Sequence, residues 1–299
     1  MPTSPLHARV LEWYAAHARD LPWRQPDATP WAILVSEVML QQTPVSRVLP
    51  AYAAWLTHWP TPAALAADAP GEAVRQWDRL GYPRRALRLH AAATTMVERH
   101  GGAVPSAYDE LRSLPGVGEY TAAAVASFAF RQRHAVLDTN VRRVLARVAE
   151  GVRYPPTATT ARERRIATDL LPDEPETAAH WAVAVMEVGA LVCTSAAPRC
   201  GACPITRDCA WHQAGQPDHA GPPRRRQTYE GTDRQCRGRL LRALRETSEP
   251  VHRADLEATW PHASQRERAL DTLVADGLVE PLDGDRFRLP VRAPAVPTR

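Results

Sequence analysis

The sequence contains no lysine, and all 37 of its basic residues are arginine. Without a lysine amine, no side chain can form a Schiff base with a carbonyl carbon, so catalysis through a lysine imine is excluded. Arginine supplies a planar guanidinium that suits contacts with phosphates and base edges. The net charge of +4 is mildly basic, which permits nucleic acid as a partner without requiring it.

Long apolar runs and a secretory signal pattern are missing as well. No stretch is apolar for long enough to cross a bilayer, and the N-terminus lacks the pattern of a signal peptide. We therefore expect a soluble cytoplasmic protein with no membrane partner. Cysteine is scarce, with five residues, and in that compartment four clustered cysteines favour a metal site over a disulfide framework.

The clustered cysteines follow the spacing C-x6-C-x2-C-x5-C, at Cys193, Cys200, Cys203 and Cys209. Four thiolates so close in sequence can hold zinc or an iron–sulfur cluster. Zinc sites usually pair two short knuckles, and here Cys200 with Cys203 forms a single one. The uneven spacing therefore favours a 4Fe–4S cluster. Cys236 stands apart in the sequence and is interpreted as a packed thiol.

The segment LPGVG at 114–118 predicts a tight hairpin between two helices. Pro115, Gly116 and Gly118 fit poorly inside a helix, whereas the apolar run Tyr120–Phe130 suits a buried one. A glycine hairpin of this kind points backbone N–H groups outward, where they can bind a phosphate. An ordinary glycine turn is the alternative.

Two carboxylates stand out by their surroundings. Asp138 precedes the periodic run 141–148, so it is placed to cap a helix N-terminus, which would keep the carboxylate ionised. Glu37 lies inside the apolar run 33–40, where desolvation would raise its pKa and suit a general acid. An ordinary helix cap and a solvent-facing glutamate are the alternatives.

Two further features have both a functional and an ordinary interpretation. Tyr82 lies at a turn beside Arg84, Arg85 and Arg88, where an aromatic ring could wedge between base pairs or simply pack in the turn. Residues 214–232 are rich in proline and glycine and contain an arginine run at 224–226. They predict a linker that could touch DNA phosphates.

The C-terminal residues 233–290 predict three helices and a β-hairpin, which is the pattern of a winged helix. Ser264 with Glu267 predicts a capping box at the third helix. Three polar residues form a candidate recognition face for DNA on that helix, although many winged helices mediate protein contacts instead: Gln265, Arg266 and Arg268. The tail 291–299 is predicted to be disordered.

Several of these motifs occur together in the order found in one known family. The sequence LPGVGEYTAAAV…VLDTNVRRVLAR, followed by the four cysteines, closely resembles the helix-hairpin-helix DNA glycosylases that carry an iron–sulfur cluster. SEVMLQQTPV and LGYPRRALRLHAAA narrow the resemblance to the MutY-type adenine glycosylases. The resemblance covers residues 6–212.

The resemblance implies a mainly α fold with two glycosylase domains and DNA in the cleft between them. A six-helix barrel at about 25–135 would be inserted into a domain made of residues 1–24 and 136–213, which contains the cluster. The linker 214–232, the winged-helix-like α+β unit 233–290 and the tail 291–299 would follow. That unit stands where the family often has a Nudix-like domain that reads 8-oxoguanine.

The resemblance also implies the roles of the site residues. Glu37 would protonate the departing adenine at N7, Asp138 would stabilise the oxocarbenium-like sugar, and Tyr120 would lie beside them. When an N-glycosidic bond breaks, a protonated carboxyl group can neutralise the negative charge on the base, and an ionised one can stabilise the positive charge on the sugar. The other implied site residues are Arg24, Gln42, Tyr82 and Glu187 for the substrate, Gly116, Gly118 and Arg199 for DNA phosphates, and Cys193, Cys200, Cys203 and Cys209 for the 4Fe–4S cluster.

The implied activity is removal of adenine mispaired with 8-oxoguanine or guanine in double-stranded DNA. The enzyme would be a bacterial, nucleoid-associated monomer, and the sequence identifies no protein partner. Endonuclease III relatives have a lysine where this chain has Tyr120, so the resemblance implies a monofunctional glycosylase. A T/G mismatch thymine glycosylase, a catalytically silent DNA-binding regulator and a zinc-dependent binding module are the alternatives.

Overall fold

The computed structural model describes residues 4–218 and 229–291 of the 299-residue chain. The described part is mainly helical, as the sequence predicted. In chain order its α-helices are α1 (Pro5–His17), α2 (Pro30–Leu40), α3 (Val45–His58), α4 (Pro62–Ala67), α5 (Pro70–Gln76), α6 (Arg84–His100), α7 (Tyr108–Ser113), α8 (Glu119–Phe130), α9 (Thr139–Ala149), α10 (Ala161–Asp169), α11 (Pro175–Leu191), α12 (Ala210–Gln213), α13 (Asp233–Arg245), α14 (Arg253–Glu257) and α15 (Ala263–Ala275).

Short 3-10 helices and a small sheet complete the described secondary structure. The 3-10 helices are Pro22–Arg24, Asp78–Leu80, Cys200–Ala202 and Thr206–Asp208. The strands are β1 (Val251–His252), β2 (Glu280–Leu282) and β3 (Arg286–Arg288). They form an antiparallel sheet in the order β1-β3-β2.

The chain divides into two compact units. Of the described residues, the first unit contains 4–33, 106–113 and 117–218, and the second contains 34–105, 114–116 and 229–291. The domain boundaries inferred from the sequence stay a prediction.

The first unit is organised around α11. Helices α1, α8 and α9 pack against it. Helix α9 buries Val141, Val144 and Leu145, and this i, i+3, i+4 spacing gives it one apolar face. Val10 of α1 and Val188 of α11 belong to the same core. Gly189 of α11 lies against Asn140, which places Asp138, the N-cap of α9, near the end of α11 that contains Glu187.

The second unit contains α3 to α6 and the C-terminal helices. Helices α4 and α5 pack on α6. The Trp55 ring packs edge-to-face against the rings of Trp59 and Trp77, with centroid distances of 4.5 and 5.5 Å. All three rings are fully buried. Such edge-to-face pairs add to the stabilisation that comes from burying the rings.

The C-terminal part, 229–291, has the three helices and the hairpin that the sequence predicted. Helices α13 and α15 pack together. The hairpin pairs Leu282 with Arg286, so its turn has three residues, and positive φ angles fall at Gly284 and Asp285. The turn therefore consists of Asp283, Gly284 and Asp285. The observed register buries Phe287 between its neighbours.

One expectation about α15 is wrong, and the DNA-reading role of this helix stays untested. The N-cap of this helix is His262, so Ser264 lies inside the first turn and not at a capping position. The candidate recognition face is largely occupied by contacts within the protein. Arg266 is buried and donates to the Trp260 carbonyl oxygen at 2.9 Å, and Gln265 donates to the Asp233 carboxylate at 2.8 Å.

Two sequence expectations concern residues that the structure does not describe, and a third concerns membrane-spanning helices. The arginine run 224–226 and the tail from 292 onward lie outside them. Among the helices of residues 4–218 and 229–291, none is long and apolar enough to cross a membrane.

The glycine hairpin at 114–118 forms between α7 and α8, and its two glycines have different conformations. Gly116 has a φ of 79°, and an added Cβ would lie 2.6 Å from the Cβ of Arg88. Gly118 is the N-cap of α8 with a φ of −92°, which any residue can adopt. Only the first position therefore requires glycine.

We predict that Gly116→Ala lowers the free energy of unfolding by about 1–3 kcal/mol, because the left-handed backbone and the close contact both oppose a side chain. Gly118→Ala is the matched control and should cost less than about 1 kcal/mol, the loss of a favourable N-cap residue. Urea denaturation of both variants measures the difference. Equal destabilisation would contradict the assigned conformation of Gly116.

Candidate active site and cysteine cavity

Glu37 lies on α2 and is 5% exposed, with the buried Leu34 and Val38 on the same helix. Its neighbours come from the apolar run that the sequence showed. The expected burial of this acid is therefore confirmed, whereas its role as a general acid stays a prediction. Gln42 follows the end of α2, is exposed and has a φ of 55°.

Arg85, in the first turn of α6, is 6% exposed and joins two segments that contain predicted site residues. Its Nη1 donates to the carbonyl oxygens of Val38, Met39 and Gln41 at 2.9, 3.0 and 2.6 Å. Val38 and Met39 lie in the last turn of α2 and Gln41 directly follows the helix, where the helix itself supplies no partner to the carbonyl groups. The guanidinium thus caps the C-terminus of the Glu37 helix.

The second terminal nitrogen of Arg85, Nη2, binds the segment that ends at Tyr82. Its Nη2 donates to the Gly81 carbonyl oxygen at 3.0 Å and to the Thr43 hydroxyl at 3.0 Å. Burial lowers the pKa of Arg85 to about 10, which leaves it charged at neutral pH. The sequence suggested Arg85 only as part of a basic cluster beside an aromatic residue. Its burial against α2 was not foreseeable from that cluster.

Tyr82 itself projects from the protein. It is 52% exposed with a φ of 48°, and the Arg85 guanidinium lies 5.5 Å from its ring centroid. A side chain held this way on an exposed turn is accessible to a partner, and the wedge role of Tyr82 stays a prediction. Packing in the turn, the alternative raised by the sequence, does not describe a ring with half of its surface exposed.

Asp138 is the N-cap of α9, as predicted, and its carboxylate accepts from the Val141 backbone N–H at 2.6 Å. The Asn140 side chain donates to the other carboxylate oxygen at 2.7 Å. The expectation that the cap keeps this carboxylate ionised stays a prediction. Burial raises the pKa of Asp138, and these hydrogen bonds and the nearby Arg143 charge only oppose that rise.

Glu187 and Arg24, both expected in the substrate pocket, form an ion pair. Glu187 is fully buried on α11, and Arg24 Nη2 donates to its Oε2 at 2.8 Å. Arg19 was not identified from the sequence, yet it donates to both carboxylate oxygens at 2.7 Å. Burial alone would raise the pKa of Glu187, but the two guanidinium groups outweigh it and lower the pKa to about 2.

Three other predicted residues lie in the first unit. Tyr120 is in the first turn of α8 and packs against the small core formed by Ala123, Ala124, Val136 and Ala182. Gly118 precedes it as the N-cap. Arg199 is exposed, and its side chain donates to the Leu191 carbonyl oxygen.

The four clustered cysteines line one cavity. Its wall also contains apolar side chains, among them Val144, Val188, Val192 and Ile205. Burial raises the pKa of the thiols of Cys200, Cys203 and Cys209. Within residues 4–218 and 229–291, no three Cys, His, Asp or Glu side chains form a group able to hold a single metal ion.

Arg147 lies at the wall of this cavity and is fully buried. Its Nη1 donates to the Cys193 sulfur at 3.2 Å and to the Thr194 carbonyl oxygen at 2.9 Å, and Nη2 donates to the Ser195 carbonyl oxygen at 3.2 Å. Arg143 donates to the Cys193 carbonyl oxygen at 2.7 Å. The only sequence signal for these two arginines is their position on α9, the helix that Asp138 caps.

The predicted site residues lie partly in the first unit and partly in the second. The first contains Tyr120, Asp138, Arg24, Glu187, Gly118, Arg199 and the cysteines. The second contains Glu37, Gln42, Tyr82 and Gly116. Within the first unit the structure brings Arg24 to Glu187 and gathers the cysteines. Within the second it connects the segments of Glu37 and Tyr82 through Arg85.

Comparison with known proteins gives a consistent result. Residues 35–166, which include Glu37, Tyr120 and Asp138, match the HhH-GPD superfamily of base excision DNA repair proteins. The chain is 51% identical over 292 residues to an adenine DNA glycosylase of Mycobacterium tuberculosis (strain CDC 1551 / Oshkosh), covering 96% of this chain and 95% of that protein. It is 50% identical over 291 residues to the adenine DNA glycosylase of Mycolicibacterium smegmatis (strain ATCC 700084 / mc(2)155), covering 97% of each.

A solved structure also resembles this chain. A thermostable thymine-DNA glycosylase superposes with a TM-score of 0.62 at 25% sequence identity. The superposition covers 70% of this chain and 95% of the thymine-DNA glycosylase.

We predict that Arg19→Met lowers the free energy of unfolding by about 2–3 kcal/mol at pH 7, because it leaves the buried Glu187 carboxylate with one guanidinium partner. The exposed Arg9, which pairs with Asp208, provides the control Arg9→Met, expected to cost less than about 1 kcal/mol. Urea denaturation measures both.

The loss of stability in Arg19→Met should also depend on pH. Because the folded-state pKa of Glu187 is lowered from 4.5 to about 2, its carboxylate stabilises the fold above pH 4.5 and loses this effect as the pH falls towards 2. The deficit of Arg19→Met relative to the unsubstituted protein should therefore narrow in that pH window. A deficit that stays constant would show that Arg19 acts through packing alone.

Proposed function

Because the chain belongs to the HhH-GPD superfamily of base excision DNA repair proteins, and within it to the adenine DNA glycosylases, we propose that it releases adenine from double-stranded DNA by hydrolysing the N-glycosidic bond. The observation that carries this proposal is 51% identity to an adenine DNA glycosylase over 96% of the chain. The thymine alternative has weaker support, since the similar thymine-DNA glycosylase structure is 25% identical over 70% of the chain.

In the proposed mechanism, Glu37 donates a proton to N7 of the departing adenine. Loss of the base leaves negative charge on its ring, and a proton at N7 neutralises that charge as the bond breaks. The burial of Glu37 at 5% exposure supports this role, because it removes the carboxyl group from bulk water. A catalytically silent scaffold would have no use for such an acid.

Asp138 is proposed to stabilise the positive charge that develops on the sugar. As the base leaves, the sugar becomes oxocarbenium-like and positive at C1′, and a nearby carboxylate stabilises it. The hydrogen bonds from Val141 and Asn140 fix the direction of the carboxylate, and its burial strengthens its interaction with a positive charge. Water then attacks the sugar. Tyr120 is proposed to line the same region.

The remaining contacts are assigned to base and duplex recognition. We propose that the Arg24–Glu187 pair lines the adenine pocket and that Gln42 and Tyr82 probe and wedge the duplex, which lowers the cost of moving the target base out of the stack. Gly116 and Gly118 would present hairpin N–H groups to a DNA phosphate. Arg199 would contact a second phosphate.

We propose that the four clustered cysteines hold a 4Fe–4S cluster. A cluster of this type takes one thiolate at each iron, so its ligands line a cavity, as Cys193, Cys200, Cys203 and Cys209 do. The buried Arg147 donates to the Cys193 sulfur and would offset the negative charge of thiolate ligands. When bound, the cluster would fix the fold of the 193–209 loop, and hydrolysis itself needs no redox step.

The proposal includes substrate preference and location. We propose adenine opposite 8-oxoguanine or guanine as the substrate, with no strand cleavage, because the chain has no lysine to attack the sugar. The two adenine DNA glycosylases compared above come from bacteria, and work on chromosomal DNA would associate the protein with the nucleoid.

Single-turnover base release from four duplexes tests this function: A opposite 8-oxoguanine, A opposite G, T opposite G, and matched A·T. We expect adenine release from the first two and strand breaks only after alkali. Breaks without alkali would contradict the monofunctional assignment, and release of thymine alone would contradict the adenine assignment. Duplex binding without any release would favour the silent regulator.

The catalytic assignments are tested in the same assay. Glu37→Gln and Asp138→Asn should each lower the release rate by about 100-fold or more, the usual effect of losing a general acid or an electrostatic stabiliser. Glu98→Gln, at an exposed position of α6, removes the same charge as a control and should leave the rate unchanged.

We predict that the isolated protein is brown and contains about four irons per chain. Cys203→Ser and Cys209→Ser should each lose most of the iron, whereas Cys236→Ser should retain it, since Cys236 is buried against other residues in α13. A colourless wild-type protein that contains zinc would exclude the cluster. Iron determination and visible absorbance provide the measurement.

A further inference from the structure

The C-terminal part of the second unit is joined to α5 by two arginines that exchange partners. Arg245, the last residue of α13, donates to the Val74 carbonyl oxygen at 2.8 Å and to the Asp78 carbonyl oxygen at 2.6 Å. In return, Arg75 of α5 donates to the carbonyl oxygens of Arg245 and of Thr247, the latter at 2.8 Å. Each guanidinium therefore caps the C-terminus of the other's helix, where the helix dipole favours a cation.

The carbonyl group of Asp78 begins the turn that ends at Tyr82. Asp78, Gly81 and Tyr82 have φ angles of 40°, 80° and 48°, so two non-glycine residues adopt a left-handed backbone within five positions. Each such residue costs about 1–3 kcal/mol and persists only where its surroundings hold it. The Tyr82 turn, residues 78–82, is therefore a strained segment that depends on outside contacts.

Side-chain donors supply those contacts at four consecutive carbonyl groups. Arg245 binds that of Asp78, Arg47 that of Arg79, Thr43 that of Leu80 at 3.3 Å, and Arg85 with Trp77 that of Gly81 at 3.0 and 2.9 Å. Of these donors, Arg245 comes from the C-terminal part of the chain. Burial lowers its pKa to about 10, so it remains charged.

Two more contacts fix the C-terminal part to the same region. The Gly71 N–H donates to the Pro290 carbonyl oxygen at 2.7 Å, and a Cβ at Gly71 would lie 2.6 Å from that oxygen. Arg84, two residues after Tyr82, pairs with Asp276 at 3.2 Å. The part therefore contacts the chain before, at and after the Tyr82 turn.

From these contacts we propose that the winged-helix-like part, 229–291, is a positioning element for the Tyr82 turn, with Arg245 as its principal positioning residue. This inference rests on the proposed wedge role of Tyr82. Arg245 holds the first carbonyl group of the turn and so restrains the strained backbone that aims Tyr82 at a duplex. Arg266 and Gln265, the residues that a DNA-reading helix would present, are instead engaged within the protein.

The test compares Arg245→Met, Arg245→Lys and the control Arg242→Met in the full chain. Arg242 lies on the same helix, is exposed and pairs with Glu246. Arg245→Met should slow single-turnover adenine release by about 10- to 100-fold, the usual effect of a misplacement near 1 Å. Duplex affinity should change by less than about threefold, because the phosphate contacts are elsewhere. Lysine should restore part of the rate, and Arg242→Met should match the wild type.

A second readout separates positioning from plain stability. A 2-aminopurine beside the target adenine reports unstacking by its fluorescence, and Arg245→Met should unstack the duplex less although the variant is folded at the assay temperature. Gly71→Ala, which forces the Pro290 contact apart without touching Arg245, should give the same defect. It serves as the test if Arg245→Met does not fold.

The outcomes are distinguishable. Unstacking and release equal to wild type in a folded Arg245→Met or Gly71→Ala variant would overturn the inference, even if its melting temperature is lower. Wild-type protein that unstacks the duplex but releases no adenine would remove the proposed function, and the unstacking defect of the variants would still support the positioning role.

Discussion

Guanidinium groups that donate to main-chain carbonyl oxygens hold together the segments on which the proposed chemistry depends. A helix leaves its last four carbonyl groups without partners, and a loop leaves more. In this chain Arg85 binds those at the end of α2, Arg147 those of the 194–195 loop, and Arg245 those near the end of α5. Arginine can do this because its five donors form a fixed planar fork, whereas lysine is a point charge on a flexible stem.

The same interaction connects packing to chemistry. The Arg85 guanidinium group that caps the Glu37 helix also binds the turn of Tyr82. The positions of Glu37 and Tyr82 therefore both depend on Arg85. On α9, Asp138 caps the N-terminus, while Arg147 near the other end donates to the Cys193 sulfur. One helix thus orients the carboxylate proposed to face the sugar and the arginine that would balance a cluster. Small changes in these supports should alter rate more than fold.

Local patterns were predictable because they depend on neighbours in sequence. Asp138 caps α9 through an i to i+3 hydrogen bond, and Gly116 adopts the left-handed conformation that its hairpin requires. Ser264 shows the limit of such reasoning, because α15 begins two residues earlier than the capping pattern suggested, with His262 as its N-cap. The pKa of Asp138 shows a related limit of local patterns. Hydrogen bonds at the cap are local, but burial by the surrounding fold is not, and burial dominates.

The glycine hairpin, the buried acid on α2 and the four clustered cysteines follow from patterns within a short window of sequence, and the family resemblance implied the mainly α fold. Tertiary structure alone decided which arginines are buried and what they bind. Arg19 reaches Glu187 across 168 residues, and Arg245 reaches Asp78 across 167. No periodicity marks such pairs, because their partners are carboxylates or main-chain carbonyl groups that become neighbours only when distant helices pack.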